Sequence, residues 1–397
     1  MKILIISQYY YPEQFQINEI APELVRRGHD VTVVCGLPNY PKGEIFEGYK
    51  NRFEEVIDGV KVIRCNNVPR GHNPVQLIRN YYSFAKESKK VVRMLPRDFD
   101  VVLGYQLSPI SSMLAAVEYK RLNRTPVVFY TLDIWPVSAE AMLHGKKNPF
   151  YWWVKRLSKR IYQRADRILV TSRPFIDYLN HELRISPVKM AYLPQHAGTG
   201  MLGMDLEAEN NGIADFMYAG NLGKGQRVDV IINAAIVLGA RKDYKIHIVG
   251  DGRMRQELEQ IVKENRLEEN VIFYGNQRRE DMPSFYKKAD VLLITLRGNN
   301  EVGNTMPGKL QMYMTTGKPI LGAINGAAAE VILQAQCGSC VKAGDYEELA
   351  RLMEFYIKHP QEYDACGRNA RRYFKAHFTL ERFIYGLETE LQKLKRY

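Results

Sequence analysis

Apolar segments of strand length alternate with amphipathic helical segments, and this alternation constrains the fold more than any other feature. Lys2 to Ser7 is an apolar run of strand length, and Val31 to Cys35 is the next one. Between them, apolar side chains recur at helical spacing until Gly28. A strand, a helix and a second strand in this order form a βαβ unit, whose strands pair in parallel. The start of the chain therefore predicts a parallel sheet covered by helices.

The same alternation continues through two successive series of elements. Further strands are predicted at 60–65, 101–104, 127–130 and 167–171, and a second series at 216–220, 245–249, 271–274, 291–295 and 320–322. Between the two series lies a Gly-rich and acidic stretch, 195–211, without clear periodicity. A chain of 397 residues is long enough for two or three domains. We therefore predict two doubly wound α/β domains, whose ligands bind at the carboxyl ends of the strands.

Four loops of the second series are predicted to meet at one edge of its sheet. They follow successive strands and cover 220–225, 250–252, 275–279 and 297–307. Glycines in such loops let the backbone approach a ligand closely. The last loop leads into a helix that ends at Gly317, and Lys309 lies in its first turns. A helix start offers unpaired N–H groups and favours anions such as phosphate, although an ordinary loop–helix–strand unit would have the same pattern.

The formal net charge of +12 is concentrated in the first half of the chain. Residues 1–200 hold 29 Lys and Arg against 18 Asp and Glu, whereas residues 201–397 hold 27 against 26. This asymmetry predicts that the first half contacts an anionic surface, and nucleic acid and anionic lipid are the usual candidates. Five scattered cysteines, no apolar run of 18 residues and an N-terminus without a signal-peptide pattern predict a cytoplasmic protein.

Several motifs along both halves resemble one enzyme family. The second half contains Ala219-Gly-Asn-Leu-Gly223, Val249-Gly-Asp-Gly252, Tyr274-Gly-Asn-Gln277, Met306-Pro-Gly-Lys-Leu310 and Gly317-Lys-Pro-Ile320. The first half contains Tyr10-Tyr-Pro-Glu13, Arg27-Gly-His-Asp-Val-Thr-Val33, Gly36-Leu-Pro-Asn-Tyr-Pro-Lys-Gly43 and Leu132-Asp-Ile-Trp-Pro136. The chain is similar over nearly its whole length to family 4 glycosyltransferases, in particular to the subgroup that builds bacterial surface polysaccharides and includes fucosamine and fucose transferases.

This resemblance implies the GT-B fold, α/β with two doubly wound Rossmann-like domains facing a cleft. The predicted boundaries are an acceptor-binding domain at 1–195, a nucleotide-sugar-binding domain at 196–375, and a last helix at 376–397 that packs back on the first domain. The implied reaction is a retaining hexosyl transfer from a UDP-sugar, with N-acetylated or deoxy hexosamines as the expected sugars. No metal and no cofactor are expected.

The resemblance also implies roles for particular residues. The loop from Pro12 to Gln16 would lie beneath the donor diphosphate, Asn276 to Arg278 would hold the base, and Lys309 with the amides near Thr305 would bind phosphate. The full predicted donor site comprises Gln14, Gln16, Gly220, Asn221, Gly223, Lys224, Gly250, Asn276, Gln277, Arg278, Glu301, Asn304, Thr305, Met306 and Pro307. Lys224 and Arg278 could instead be solvated loop charges.

Catalysis is predicted to depend on Lys309, which would stabilise the departing nucleotide diphosphate. Glu13 and Asp133 are the candidate bases for the acceptor proton, and Asp133 could instead cap a helix. Two positions depart from the family pattern. Met312 and Asn304 replace a pair of glutamates, so that ribose recognition shifts or is lost, and Glu301 is the nearby carboxylate that could substitute. Gln14-Phe15-Gln16 replaces the double glycine of the first loop.

Two helices predicted to begin at Asn73-Pro74 and Asn148-Pro149 combine aromatic with basic residues, as interfacial membrane helices do. Their predicted membrane contacts are Tyr81, Tyr82, Lys86, Lys89, Lys90, Trp152, Trp153, Lys155, Arg156 and Lys159. The alternative is a core-packed helix with a solvated basic face. With membrane contact, the acceptor is a polyprenyl-pyrophosphate-linked saccharide at the inner face of the cytoplasmic membrane, and nucleic acid is not a partner. Alternative functions are a UDP-sugar 2-epimerase, a nucleic-acid-binding protein and a non-catalytic nucleotide-sugar sensor.

Overall fold

A computed structural model describes residues 1–140, 145, 147–208, 211–298 and 306–394. The chain divides into two compact units. Unit 1 comprises Met1–Pro194 together with Leu380–Tyr397, and unit 2 comprises Gln195–Thr379. Each unit contains one sheet with helices on both faces, so the predicted α/β fold with two Rossmann-like domains is confirmed.

Unit 1 contains an eight-stranded sheet. Its strands are β1 (Lys2–Ser7), β2 (Asp30–Gly36), β3 (Glu54–Ile57), β4 (Val60–Cys65), β5 (Val101–Gln106), β6 (Val127–Thr131), β7 (Arg167–Val170) and β8 (Met190–Tyr192). They lie in the order β3-β4-β2-β1-β5-β6-β7-β8, and all neighbours pair in parallel except β3 with β4. The sheet therefore reverses its strand order at β1 and β5.

The helices of unit 1 are α1 (Ile17–Arg26), α2 (Pro74–Met94), α3 (Leu114–Asn123), α4 (Val137–Glu140), α5 (Pro149–Arg164), α6 (Pro174–Leu183) and the C-terminal α14 (Leu380–Gln392). The predicted Asn-Pro starts are observed for α2 and α5. Asn73 Oδ1 accepts the Gln76 N–H at 2.9 Å, and Asn148 Oδ1 accepts the Phe150 N–H at 2.9 Å. Each Asn satisfies an otherwise unpaired amide, and the following Pro has no N–H to leave unpaired.

Unit 2 contains a six-stranded parallel sheet. Its strands are β9 (Ala214–Ala219), β10 (Tyr244–Val249), β11 (Val271–Gly275), β12 (Val291–Thr295), β13 (Ile320–Ala323) and β14 (Gly338–Val341), in the order β11-β10-β9-β12-β13-β14. Its helices are α7 (Asp229–Leu238), α8 (Arg255–Glu264), α9 (Met282–Lys288), α10 (Gly308–Thr316), α11 (Ala327–Gln334), α12 (Tyr346–Lys358) and α13 (Cys366–His377). Strand order reverses between β9 and β12.

The central strands of both sheets are buried on both faces, because successive side chains point to opposite sides and helices cover each side. Leu4 and Ile6 join the core under α2 and α3, whereas Ile3 and Ile5 join the core under α1 and α14. The same alternation sends the side chains of β9 into two separate cores of unit 2. Near-continuous apolar strands are what a helix-covered parallel sheet requires.

Candidate functional site

The carboxyl ends of β9 and β12 lie at the point where strand order reverses in unit 2. The two strands pair only at Val291 with Phe216 and Leu292 with Met217. Beyond these pairs, the hydroxyl of Tyr313 from α10 accepts the Ala219 N–H at 2.8 Å. At this edge, a hydrogen bond to the Tyr313 side chain thus takes the place of the backbone hydrogen bonds between β9 and β12. In open α/β sheets, such a reversal is where ligands bind.

The glycine loops predicted for this edge approach one another closely. Gly220 N–H donates to the Val249 carbonyl at 2.8 Å, and Gly250 N–H donates to the Gly275 carbonyl at 2.9 Å. A Cβ atom on Gly250 would lie 1.9 Å from the Gly220 carbonyl oxygen, so no larger residue fits there. Three of the four predicted loops are therefore in mutual contact along the ends of β9, β10 and β11.

Lys309 lies on α10 and packs directly on the first of these loops. Its ammonium is 3.7 Å from the ring centroid of Tyr218 and 3.2 Å from Gln226 Oε1. A Cβ atom on Gly220 would lie 2.7 Å from Lys309 Cε and 2.8 Å from Nζ. Gly220 is therefore what allows the lysine to reach the end of β9. Within the described residues, no carboxylate forms an ion pair with this ammonium.

Burial lowers the pKa of Lys309 to about 7, because a charged amine loses hydration in this position. The face of the Tyr218 ring attracts a cation and offsets part of that cost. Among the residues that the structure describes, this ammonium has no neutralising partner. An anion that entered the site would favour its charged form.

The start of α10 lies beside this ammonium. Pro307 is the N-cap, and its side chain forms no capping hydrogen bond. Leu310 N–H turns back to the Pro307 carbonyl at 3.0 Å, which leaves the N–H groups of Gly308 and Lys309 at the open end of the helix. These amides and the Lys309 ammonium together form an anion-binding arrangement. Met306 and Pro307 are half-buried here, as is Met312, which packs against the core of unit 2.

The other predicted donor residues of unit 2 are mostly exposed. Asn221, Lys224, Asn276 and Gln277 have exposed side chains at the same edge, and Gly223 is half-buried. Arg278 is exposed and paired with Asp281, with Nε 2.9 Å from Oδ2. Stacking of Arg278 on a base would therefore compete with this ion pair. Glu301, Asn304 and Thr305 lie outside the described residues.

In unit 1, Glu13 is buried rather than open to an acceptor, with 2% of its surface exposed. Its Oε1 accepts the N–H groups of Asn39 at 2.8 Å and Tyr40 at 2.7 Å, and Oε2 accepts that of Tyr10 at 3.3 Å. Burial raises its pKa to about 7, and the three amides act in the opposite direction. These hydrogen bonds join the loop after β2 to the loop after β1, and the role of Glu13 as a catalytic base stays a prediction.

Asp133 remains the more accessible carboxylate of the two candidates. Its side chain is half-buried, and its Oδ2 accepts the hydroxyl of Ser108 at 2.5 Å. Ser108 Oγ in turn accepts the indole N–H of Trp135 at 3.0 Å. The nearest helix, α4, begins four residues later at Val137, so the alternative role of Asp133 as a helix cap is wrong.

The loop predicted to lie beneath the donor carries an aromatic cluster that the motifs did not indicate. Phe15 stacks on Tyr9 with centroids 5.1 Å apart, and Tyr40 lies 5.5 Å from both rings. The Arg70 guanidinium is 5.3 Å from the Tyr40 ring centroid and donates to Tyr9 Oη at 3.3 Å. Gln14 is exposed in this loop. The carbonyl of Gln16 accepts the Glu19 N–H at 2.9 Å at the start of α1.

The basic aromatic helices of unit 1 expose part of their predicted membrane-contact set. Tyr82, Lys86, Lys90, Trp152, Trp153 and Arg156 are exposed, whereas Tyr81, Lys89, Lys155 and Lys159 are half-buried. Lys90 pairs with Glu87 at 2.8 Å and Lys155 with Glu182 at 2.5 Å, so these two charges are partly neutralised. Within the described part of the chain, no helix is long and apolar enough to cross a bilayer.

Both units match known glycosyltransferase families. Residues 207–373 match the family "Glycosyl transferases group 1", and residues 14–196 match the "Glycosyl transferase 4-like domain". The two matches together cover most of the chain. The protein therefore belongs to the group 1 glycosyltransferases of GT-B fold. Its N-terminal part is a glycosyl transferase 4-like domain.

Individual relatives and a solved structure agree with this assignment. The chain is 24% identical to the putative colanic acid biosynthesis glycosyl transferase WcaI of Escherichia coli (strain K12), over 97% of this chain and 99% of the relative. It is 31% identical, over 32% of this chain and 35% of the relative, to the N-acetylgalactosamine-N,N'-diacetylbacillosaminyl-diphospho-undecaprenol 4-alpha-N-acetylgalactosaminyltransferase of Campylobacter jejuni. The structure of Anabaena HepE in complex with UDP aligns with a TM-score of 0.70 at 15% identity, over 99% of this chain and all of that one. The chain is thus similar to enzymes of polysaccharide and lipopolysaccharide biosynthesis.

Proposed function

We propose that this glycosyltransferase transfers a sugar, with retention of anomeric configuration, from a UDP-sugar to a lipid-linked saccharide during surface-polysaccharide assembly. Within that group of enzymes, the proposal places it with the amino-deoxysugar and fucose transferases, and an N-acetylated or deoxy hexosamine is the expected sugar. The relative that acts on a diphospho-undecaprenol-linked saccharide and the HepE complex with UDP support the acceptor and donor classes.

The observation that carries the proposal is the Lys309 ammonium. It lies against Tyr218 at the sheet reversal, beside the open N-terminus of α10, and has no carboxylate partner in the described residues. A nucleotide diphosphate would supply the missing anion. Gln226, which accepts from Lys309 at 3.2 Å, would hold the lysine in place until the donor arrives.

The reaction needs stabilisation of charge on the leaving group. The bond between the anomeric carbon and the diphosphate oxygen breaks, and its electron pair stays on the diphosphate. The anomeric carbon forms a bond with an acceptor hydroxyl oxygen, whose proton passes to a base. Fixed donors aimed at the departing oxygen lower this barrier, and removing one such donor typically costs about 10²–10³ in rate.

The chain's own groups can supply these roles. Lys309 and the amides of Gly308 and Lys309 would contact the diphosphate, and the proposed mechanism is metal-independent and needs no cofactor. Asp133, with one oxygen bonded to Ser108, is the proposed proton acceptor in unit 1. The exposed aromatic and basic residues of α2 and α5 support a peripheral position on the inner face of the cytoplasmic membrane.

Thermal unfolding with a panel of nucleotides tests the donor class. Because a ligand of the folded state raises the melting temperature by mass action, UDP and UDP-N-acetylhexosamines should stabilise the protein at millimolar concentration. GDP and GDP-sugars form the comparison arm, and stabilisation by these alone would reassign the donor. No shift with any nucleotide would remove the transferase proposal, and conversion of the UDP-sugar to an isomer would favour an epimerase.

Two glycines of one loop provide matched variants for the same assay. Gly220→Ala would place a methyl group 2.7 Å from Lys309 Cε and displace the ammonium, whereas Gly225→Ala meets no atom within 4 Å. We expect Gly220→Ala to lose the UDP-induced shift and Gly225→Ala to keep it. If Gly220→Ala still binds UDP as the wild type does, Lys309 is not the diphosphate ligand.

A further inference from the structure

Unit 1 contains an apolar pocket that the proposed transfer chemistry does not use. It lies between α2 and α5 and is closed at its base by the 3₁₀ turn Ile110–Met113 and by α4, with a volume of about 630 Å³. Its walls include the apolar side chains of Ala85, Ile110, Leu114, Val154 and Leu157. A volume of this size is typical of sites for small molecules.

One side of the pocket mouth is basic. Lys86, Lys89, Lys90 and Arg93, all from α2, line it. Lys90 and Arg93 are paired with Glu87 and Glu118, but in the part of the chain that the structure describes no acidic group pairs with Lys86 or Lys89. Two ammonium groups without an acidic partner among the described residues therefore lie beside an apolar cavity. A ligand that suits both features has a hydrocarbon part and an anionic head.

We propose that this pocket binds the hydrocarbon chain of the acceptor's prenyl diphosphate, with Lys86 and Lys89 contacting the diphosphate. The inference rests on the proposed function, because it assumes a lipid-linked acceptor, and it assigns that acceptor a site in the protein. The chain segment nearest the diphosphate would leave the bilayer and enter the pocket. Burial of apolar surface would then contribute to acceptor affinity.

The pocket's chemistry favours a prenyl chain over other occupants. A nucleotide base or a sugar needs several fixed polar partners, whereas this lining is predominantly apolar away from the lysines. A protein partner needs a larger surface than this cavity provides. A hydrocarbon chain needs only apolar contact, and the adjacent cations complement a diphosphate.

Adjacent tryptophans separate pocket binding from simple contact with a membrane surface. Trp152 and Trp153 are similarly exposed, at 56% and 58%. Trp153 lines the pocket and stacks on Phe150 with centroids 5.1 Å apart, whereas Trp152 lies outside the pocket beside Lys155. The chain has three tryptophans, and Trp135 also lines the pocket. Intrinsic tryptophan fluorescence therefore reports on the pocket from two of its three sources.

The experiment titrates the full-length protein with farnesyl diphosphate below its micelle-forming concentration, without detergent, lipid or nucleotide. We expect a saturable change in tryptophan emission, retained in full in Trp152→Phe and reduced in Trp153→Phe, in which only Trp135 still reports from the pocket. Farnesol and inorganic diphosphate should each bind at least about tenfold more weakly, because each lacks one of the two contacts. No saturable change with farnesyl diphosphate would overturn the proposal.

Two exposed positions on α2 give a matched pair of variants that do not threaten the fold. Ile78 lines the pocket and is 55% exposed, whereas Val75 is 66% exposed and does not line it. Ile78→Asn should weaken farnesyl diphosphate binding at least about fivefold, since it places a polar group in the path of the chain, and Val75→Asn should not. Equal binding by both variants would contradict the pocket as the site.

The basic side of the pocket mouth is tested by a separate pair of variants. The double change Lys86→Gln with Lys89→Gln should abolish the preference for farnesyl diphosphate over farnesol. Lys50 and Lys61 are exposed residues of unit 1 that do not line the pocket, and Lys50→Gln with Lys61→Gln should preserve the preference. An unchanged preference would refute the contact assigned to Lys86 and Lys89.

The nucleotide and farnesyl diphosphate experiments can fail independently. If UDP stabilises the protein but farnesyl diphosphate does not bind, the pocket proposal alone is wrong. If farnesyl diphosphate binds but no nucleotide does, the transferase proposal alone is wrong.

Discussion

Lys309 shows how much of a functional side chain can be predicted from sequence and how much depends on tertiary contacts. Its position near the start of a helix after a strand followed from the local pattern. Its neighbour Tyr218 lies in β9, where the sequence indicates only an apolar strand. The contact between them depends on the absence of a side chain at Gly220, which no local pattern reveals.

The pH dependence of stability tests the burial of this lysine. Its pKa is about 7 in the folded chain and 10.5 when unperturbed. Between pH 7 and pH 10.5 the lysine is protonated in the unfolded state and deprotonated in the folded state. The free energy of unfolding of the wild type therefore increases as the pH rises through this range. Below pH 7 both states are protonated and the folded state bears the full cost of burying the charge.

Lys309→Met removes that cost. We expect its gain in melting temperature over the wild type to be larger at pH 6 than at pH 10, measured without nucleotide. A gain that is the same at both pH values would mean that Lys309 is hydrated as an ordinary surface lysine is.

At the scale of elements, the loop after β2 depends on one buried carboxylate. Glu13 accepts two N–H groups of that loop, and the Asn39 side chain accepts the Arg70 N–H at 2.8 Å. Both contacts join segments far apart in sequence. They explain why an acidic residue in a motif resembled a catalytic base but is buried in the structure.

Two substitutions of Glu13 separate these roles. Glu13→Ala leaves buried amides without an acceptor and should reduce stability by about 1–3 kcal/mol. Glu13→Gln keeps one oxygen for Asn39 and Tyr40, and turnover should stay within about tenfold of the wild type because a positioning residue, unlike a base, need not take up a proton. Denaturant unfolding and steady-state rates measure the two effects. Loss of turnover in Glu13→Gln with unchanged stability would identify Glu13 as the base.

The elements that sequence patterns missed lie mainly at sheet edges. The predicted limits of β4 and β12 agree with the structure. The prediction did not include β3, β8 or β14. β3 has an exposed and half-buried alternation, and β14 is half-buried throughout, so neither has the apolar run of a central strand.

At the scale of the whole molecule, the chain's last helix belongs to the first unit. Phe383, Ile384, Leu387 and Leu391 of α14 are buried in the core shared with α1 and β1. Glu388 pairs with Arg27 at 3.2 Å and with His29 at 3.0 Å, and Glu390 pairs with Arg167 at 2.6 Å. The sequence pattern showed an amphipathic helix, and only the family resemblance implied that this helix packs on the first domain.

A core substitution on α14 should therefore destabilise unit 1. Leu387→Ala is expected to lower the free energy of unfolding by about 2–5 kcal/mol, whereas Tyr385→Ala on the exposed face should change it by less than about 0.5 kcal/mol. Hydrogen exchange locates the effect: faster exchange should appear in α1 and β2 and not in α7 or α12. Equal loosening of unit 2 would contradict the assignment of α14 to unit 1.

The return of α14 also sets an order of events during translation. The ribosome releases the segments of unit 2 before it releases the helix that completes the core of unit 1. The apolar surface around Ile17, Leu24 and Tyr130 therefore remains uncovered while some two hundred further residues are synthesised. The domain that begins synthesis first therefore completes its core last, and we expect its uncovered apolar surface to bind chaperones until then.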